Sequence, residues 1–257
     1  MQEMIILSCP SADVALLTLN RPQKRNALDN ATLKQLGEML AKLDVSPKIK
    51  AVVITGNEQC FAAGADLHEL SKMNAVDLGL DERPRLWQHI DTFSKPIIAA
   101  VNGYALGAGF ELVLHSDMVL CGDNARLALP EIGLGMLPAA GGTQRLARLI
   151  GIQSTMRLAM TGEMMTADQA LHHGICCQVV PAALTVQYAI DLANKIAKQA
   201  PLAVKAIKQS LKSVHETTLS QGLKLERQHF VWLAATQDRQ EGIKAFLQKR
   251  QPTFRGV

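Results

Sequence analysis

The run Asn102-Gly103-Tyr104-Ala105-Leu106-Gly107-Ala108-Gly109-Phe110-Glu111-Leu112 follows an apolar strand at residues 97–101 and turns from strand to helix. A glycine-rich turn at a helix start leaves backbone N–H groups without partners, at the positive end of the helix dipole. Small side chains at Gly107, Ala108 and Gly109 let a ligand oxygen approach that backbone. Such a turn can stabilise negative charge developing on an acyl oxygen. The plainer reading is a tight turn with close helix packing, and this run alone does not choose between the two.

Upstream, residues 14–19 read as a strand that stops at Asn20-Arg21-Pro22. Asp29-Asn30 offers a helix cap, and Leu33, Leu36, Met39, Leu40 and Leu43 follow at helical spacing. Residues 51–55 form a short apolar strand closed by Gly56-Asn57, residues 60–65 read as a loop, and residues 83–93 carry a helical pattern broken by Lys95-Pro96. Downstream, residues 118–121 and 126–129 read as strands, and residues 134–142 as a Gly/Pro/Ala loop opening a helix over 143–149. A strand-like run at 175–180 holds Cys176 and Cys177. Most of the rest from Ser154 onward is helical. Strands and helices thus alternate over the first ~180 residues, which predicts an α/β core of repeated strand–strand–helix turns with a helical appendage. We divide the chain into a core over residues 1–195 and a helical region over 196–257.

Composition narrows the function classes. Of the 257 residues 48% are hydrophobic, enough for a buried core, while 4% aromatics disfavour stacking platforms for single-stranded nucleic acid. The charge balance, 27 − 23 = +4, is mildly basic and suits an anionic substrate or a solvated surface equally. Five cysteines without a C-x-x-C spacing point to a reduced, cytoplasmic chain. No signal peptide or membrane span is visible. A P-loop, a G-x-G-x-x-G, an H-E-x-x-H and a G-x-S-x-G are all missing. No histidine spacing suggests a metal site.

Chemistry then falls to carboxylates and backbone amides. The loop Phe61-Ala62-Ala63-Gly64-Ala65-Asp66-Leu67 can present a second N–H, with Asp66 capping a short helix from Leu67. Glu111 sits between Phe110 and Leu112, and Glu131 is bracketed by Leu127, Leu129, Pro130, Ile132 and Leu134. A carboxylate in apolar company needs a partner or a raised pKa. Either glutamate alone reads as structural. Both together with the two loops are what acid–base addition of water to an enolisable thioester requires.

At these segments, and at Pro138-Ala139-Ala140-Gly141-Gly142-Thr143-Gln144-Arg145-Leu146, the chain resembles the crotonase (enoyl-CoA hydratase/isomerase) superfamily. Leu19-Asn20-Arg21-Pro22 and Asn26-Ala27-Leu28 match it too, so the resemblance runs from about Val14 to Phe254. It implies a spiral of ββα units with a C-terminal helical trimerisation region, assembled as a homotrimer or as a hexamer of two trimers. It implies an enoyl-CoA hydratase needing no metal or other cofactor, since coenzyme A is part of the substrate. The oxyanion-hole amides would be those of Ala65 and Ala108, and Glu111 and Glu131 would be the catalytic pair. Coenzyme-A contacts would fall around Ala27, Ala63, Gly64, Asp66 and Leu67, with Phe246 and Lys249 reaching the coenzyme A of a neighbouring subunit. Ala108 and Ala139 depart from the family's usual glycines. An alanine at the amide-bearing position offers its N–H only if its φ is negative.

Other readings stay open at this level. One carboxylate suffices for a Δ3-Δ2 isomerase, and both are retained here. Lys195, Lys198, Lys205, Lys208 and Lys212 form a basic stretch that would suit an RNA-associated relative or a solvated face, and no nucleic-acid or membrane partner is expected. Arg83 and Arg85 would meet a distal carboxylate on the acyl tail, or are simply solvated.

Overall fold

A computed structural model describes residues 3–257. The chain opens with β1 (Ile5–Ser11), β2 (Val14–Leu19) and α1 (Asn30–Val45). It then winds through β3 (Ala51–Thr55), β4 (Cys60–Ala62), α2 (Leu67–Leu70), α3 (Ala75–Leu80) and α4 (Arg83–Asp91). A second coil is β5 (Ile97–Val101), β6 (Tyr104–Leu106) and α5 (Ala108–His115). A third is β7 (Met118–Gly122), β8 (Arg126–Ala128), α6 (Gly142–Ile150) and α7 (Ile152–Thr161). Then come β9 (Met165–Thr166), α8 (Ala167–His172), β10 (Gln178–Val180) and the helices α9 (Thr185–Ala197), α10 (Pro201–Lys212), α11 (Leu219–Leu233) and α12 (Gln237–Leu247). Each coil puts its first strand in one sheet and its second in another. The sheet orders are β1-β2-β3-β5-β7-β10 and β4-β6-β8-β9. Among the described strands, β1 on β2 and β9 on β8 pair antiparallel and the other pairs are parallel. This is the ββα spiral that the resemblance implied.

The inner strands β3, β5 and β7 of the larger sheet are buried on both faces and carry apolar residues without alternation, whereas the edge strand β1 is mostly exposed. Val14, Ala51, Val53, Ile98, Ala100 and Leu120 face outward against Ala189, Ala193 and Ala197 of α9. The three alanines recur every fourth residue and let that helix lie close. The opposite face packs on α1, α4 and α5 through Leu36, Ile54, Ile90, Ala99 and Phe110. Asp29 caps α1 by accepting from the Thr32 N–H at 2.8 Å. The sequence division at residue 195 falls just inside the end of α9.

Between the two strands of each coil the chain turns a tight corner, and successive corners stack. Tyr104 N–H donates to the Gln59 carbonyl and Arg126 N–H to the Gly103 carbonyl. Asparagine side chains bridge the gaps: Asn124 Oδ1 accepts from Gly103 N–H at 3.1 Å, and Asn124 Nδ2 donates to Glu58 O at 3.0 Å. Asn102 Oδ1 accepts from the buried Thr185 hydroxyl at 2.8 Å, tying α9 to the stack.

Several local readings differ from expectation. Residues 60–62 form β4 rather than loop, because three residues are too few to show a period. β1 went unread. It is an edge strand with an irregular register between Ser8 and Ser11, where Pro10 has no N–H to offer. The strand after the vicinal cysteines starts at Gln178, leaving Cys176 buried and Cys177 exposed ahead of it. The lysine stretch is not one free face: Lys208 is buried, its ammonium donating at 2.6 Å to both Asp117 and the Lys95 carbonyl. Among the described residues no helix is long and apolar enough to cross a membrane.

The corners set a stability test. Gly103 has φ +60°, and a Cβ there would lie 1.9 Å from the Gln59 carbonyl oxygen. Gly103→Ala is expected to cost more than about 2 kcal/mol, read from urea-denaturation midpoints.

Candidate active site

The strands β4, β6 and β8 run parallel, so the segments leaving them emerge at one edge of their sheet. The segment after β6 gives the first donor. Gly107 takes φ +49° and starts α5 without any side-chain cap. The first intrahelical bond runs from Glu111 N–H to Gly107 O at 2.8 Å, so the Ala108 N–H has no acceptor among the described residues. Because Gly107 absorbs the positive φ, Ala108 keeps a negative one, and the alanine at this position costs the turn nothing.

The segment after β4 gives the second donor. Leu28 N–H donates to Gly64 O at 2.8 Å, and Leu28 bridges Ala65 in parallel register. In that register the Ala65 N–H points away from Leu28, and it too has no acceptor among the described residues. The two turns touch: a Cβ on Gly107 would lie 3.7 Å from Gly64 Cα.

Both carboxylates lie at the same turn. Glu111 is 2% exposed, and its Oε1 accepts from Ala140 N–H at 2.7 Å and Gly142 N–H at 2.8 Å. Those amides open α6, so the helix dipole that supports Glu111 most directly is that of α6 rather than of its own helix. Burial pushes the Glu111 carboxyl up, while Gly142 N–H, Ala140 N–H and the charges of His115 and Arg83 pull it down; the net direction is upward. Glu131 rides on a 3-10 turn, Pro130–Leu134. Its Oε1 lies so near Gly107 that a Cβ there would sit 2.8 Å away. Its buried Oε2 has no hydrogen-bond partner among the described residues. Burial first, opposed by its own backbone N–H and reinforced by the Glu111 charge, pushes Glu131 up to about 7. The two groups thus carry unequal support: Glu111 accepts from two amides of another segment, whereas Glu131 has only its own backbone N–H and an Oε2 without a partner among the described residues.

The remaining residues expected at the site divide into two sets. Ala27, Ala63, Gly64, Asp66 and Leu67 come together. Arg21 stitches them, pairing with Asp29 at 2.9 Å and Asp66 at 3.2 Å and donating to the Ala27 carbonyl. Asp66 is buried, which pushes its carboxyl up, but His68 N–H and Arg21 outweigh that and hold it below the ordinary range. Its side chain caps α2 and anchors the loop. Asn26, with φ +56°, donates to the Cys60 and Phe61 carbonyls. Phe246 and Lys249 stand apart, exposed at the end of α12. Arg83 is not free: it donates to Leu28 O at 2.8 Å and Asn30 Oδ1 at 3.1 Å, and Arg85 is exposed in a groove beside α1. Arg21, Asn26, Ala140 and Gly142 were missed as functional positions, although all four lie inside the matched motifs. Among the described residues no three His, Cys, Asp or Glu side chains group as metal ligands.

Residues 10–257 match the model of the enoyl-CoA hydratase/isomerase family. The chain belongs to that family. It is 52% identical over 243 residues to the 2,3-dehydroadipyl-CoA hydratase of Escherichia coli K12, covering 95% of each chain. It is 38% identical to the mitochondrial enoyl-CoA hydratase of Pongo abelii, covering 94% of this chain and 83% of that one. Its fold superposes with a TM-score of 0.95 on the crystal structure of enoyl-CoA hydratase from Bacillus anthracis, at 35% identity over 99% of this chain and 100% of the other. Like these hydratases, the chain is an enzyme of the crotonase fold.

The raised Glu131 carboxyl has a thermodynamic signature. Below pH 4.5 it is protonated folded and unfolded alike; between 4.5 and about 7 only the unfolded chain ionises, so stability falls as pH rises. Glu131→Gln removes that loss. The variant is expected to gain stability over wild type across this window in denaturant melts, with no further gain above pH 8.

Proposed function

We propose that the protein is an enoyl-CoA hydratase that adds water across the 2,3-double bond of an enoyl-CoA thioester. The observation that carries this reading is the unequal carboxyl pair, Glu111 on two amides and Glu131 with an unpartnered oxygen, beside two unpaired backbone N–H groups. The thioester carbonyl oxygen accepts from Ala65 and Ala108 N–H, which draws electrons from the double bond and leaves C3 electrophilic. Water attacks C3 and gives its proton to the Glu111 carboxylate. The C2–C3 π pair moves toward C2 and takes the proton of Glu131. Glu131 suits the acid role because it stays largely protonated up to neutral pH. To reset the site Glu111 releases the proton it took from water and Glu131 takes one up, by exchange with solvent, so that the net reaction is addition of one water. The two groups titrate as a coupled pair. No metal or redox cofactor enters these steps.

Coenzyme A would lie along Ala27, Ala63, Gly64, Asp66 and Leu67. Arg21 and the His68 N–H occupy the Asp66 carboxylate, so backbone groups of this loop that the fold does not use, rather than that carboxylate, would meet the adenine and pantetheine. The exposed Phe246 and Lys249 fit contacts to the coenzyme A of a neighbouring subunit in a homotrimer or hexamer built on the helices of residues 196–257. The cytoplasm suits five free cysteines. For the acyl group, 2,3-dehydroadipyl-CoA is the first substrate to test, because the 52% identical relative carries that name.

Glu111→Gln and Glu131→Gln are each expected to lower kcat by ~10²–10⁴ with little change in coenzyme-A binding. Loss of absorbance of the conjugated enoyl thioester measures this, and near-wild-type turnover in either variant would remove the paired-carboxylate mechanism. Formation of conjugation from a 3-enoyl thioester, without hydration, would instead indicate an isomerase. Because Arg83 is bonded to the Leu28 carbonyl, Arg83→Ala should lower kcat/KM alike for dehydroadipyl-CoA and crotonyl-CoA, and Arg85→Ala should change neither. A loss confined to dehydroadipyl-CoA would make that arginine the reader of a distal carboxylate.

A further inference from the structure

Behind Glu111 lies a polar chain that the reaction itself does not touch. His115 ends α5, four residues after Glu111, and is 4% exposed. Its Nδ1 lies 2.8 Å from Asp91 Oδ1 and its Nε2 lies 2.8 Å from the Ala140 carbonyl oxygen. A carboxylate and a carbonyl both accept, so only a ring protonated on both nitrogens makes both bonds. Asp91 is held in turn by Arg145, whose guanidinium reaches its two oxygens at 2.7 and 2.8 Å. Trp87 stacks on the imidazole at a centroid distance of 4.8 Å and 27°, a favourable face for a cation. Burying an imidazolium is costly without such partners, and here each charged or polar contact is met.

Ala140 joins this chain to the site. Its carbonyl is pinned by His115, and its N–H donates to Glu111 Oε1 at 2.7 Å. We propose that His115, as an imidazolium held by Asp91, is a positioning residue that fixes Ala140 and thereby the orientation and ionisation of the Glu111 carboxylate. The kinetic part of this inference rests on Glu111 acting as the base. Other charges face the same region. Arg145 and Arg148 come from α6, Lys208 and Lys212 from α10, Asp117 from the start of the next coil, and His215 and Glu216 from the segment after α10. Arg83 also acts on Glu111. These charges remain in a His115 variant, so the change read is that of one positive group.

The test compares His115→Leu, which loses both bonds and the charge, with His115→Gln, which keeps a donor for the Ala140 carbonyl but not the charge. Carboxyl titration is followed by infrared difference spectroscopy, with Glu111→Gln identifying the Glu111 band, alongside kcat, KM and thermal melting. In both variants the Glu111 midpoint should move to higher pH, and the acid limb of kcat/KM with it. kcat should fall by about ten- to a hundredfold in His115→Leu with KM near wild type, and should partly recover in His115→Gln. An unmoved Glu111 midpoint in either folded variant overturns the inference, as does a fall in melting temperature with kcat and the midpoint both unchanged. A wild-type protein that hydrates no enoyl-CoA, with the midpoint still shifted, would sink the hydratase reading and leave the His115 linkage standing.

Discussion

Two carboxyl groups, one buried and one half-buried, meet at one helix start, and the fold must answer for both. Burial raises the cost of ionising either, and the Glu111 charge raises it further for Glu131. The amides of Ala140 and Gly142 offset part of that cost for one group only. That asymmetry separates a base from an acid within a single small volume. It depends on the segment from β8 into α6, which carries Glu131 at its beginning and the two donors at its end. Moving that segment would alter both groups at once.

The same economy governs the backbone donors. An amide is available to a ligand only if nothing in the protein accepts from it, and the fold leaves Ala65 and Ala108 in that condition for different reasons. Ala108 opens a helix, where the first donors have no preceding turn. Ala65 sits in a parallel bridge whose register turns its N–H outward. Neither residue needs a special side chain, and the alanine in place of the usual glycine at 108 is accommodated because Gly107 carries the unusual dihedral.

Much of this was legible beforehand, and the reasons are specific. The strand–helix alternation was visible because the inner strands of the larger sheet are buried on both faces and are plain apolar runs. Glu111 and Glu131 stood out because each is a charge in apolar company. The loop at 63–67 was readable from its small residues and its capping aspartate. The misses are equally physical. β4 and β9 are too short to carry a period, and β1 is an edge strand interrupted by Pro10. The donors that hold Glu111 come from a segment some thirty residues later, a pairing no local pattern records. His115 reads as one polar residue closing an apolar helix; its partners Asp91 and Ala140 lie on other elements. Arg83 is visible as a charge, but whether it is solvated or bonded to Leu28 depends on the tertiary fold.

The stacked corners carry an implication for how such a chain diversifies. Successive turns at one margin of the coils are laced by asparagine amides and by a glycine with no room for a methyl group, so that margin tolerates neither lengthening nor trimming. The opposite margin, where residues 63–96, 107–117 and 129–164 leave the smaller sheet, is joined from coil to coil by side chains of longer segments, through Asp91, His115 and Arg145, and varies in length from one coil to the next. Ala65, Ala108, Glu111 and Glu131 all lie on that side. Descendants of such a chain can therefore reshape the surroundings of the site by inserting or deleting residues there, while the rigid margin preserves the register that aims the amides.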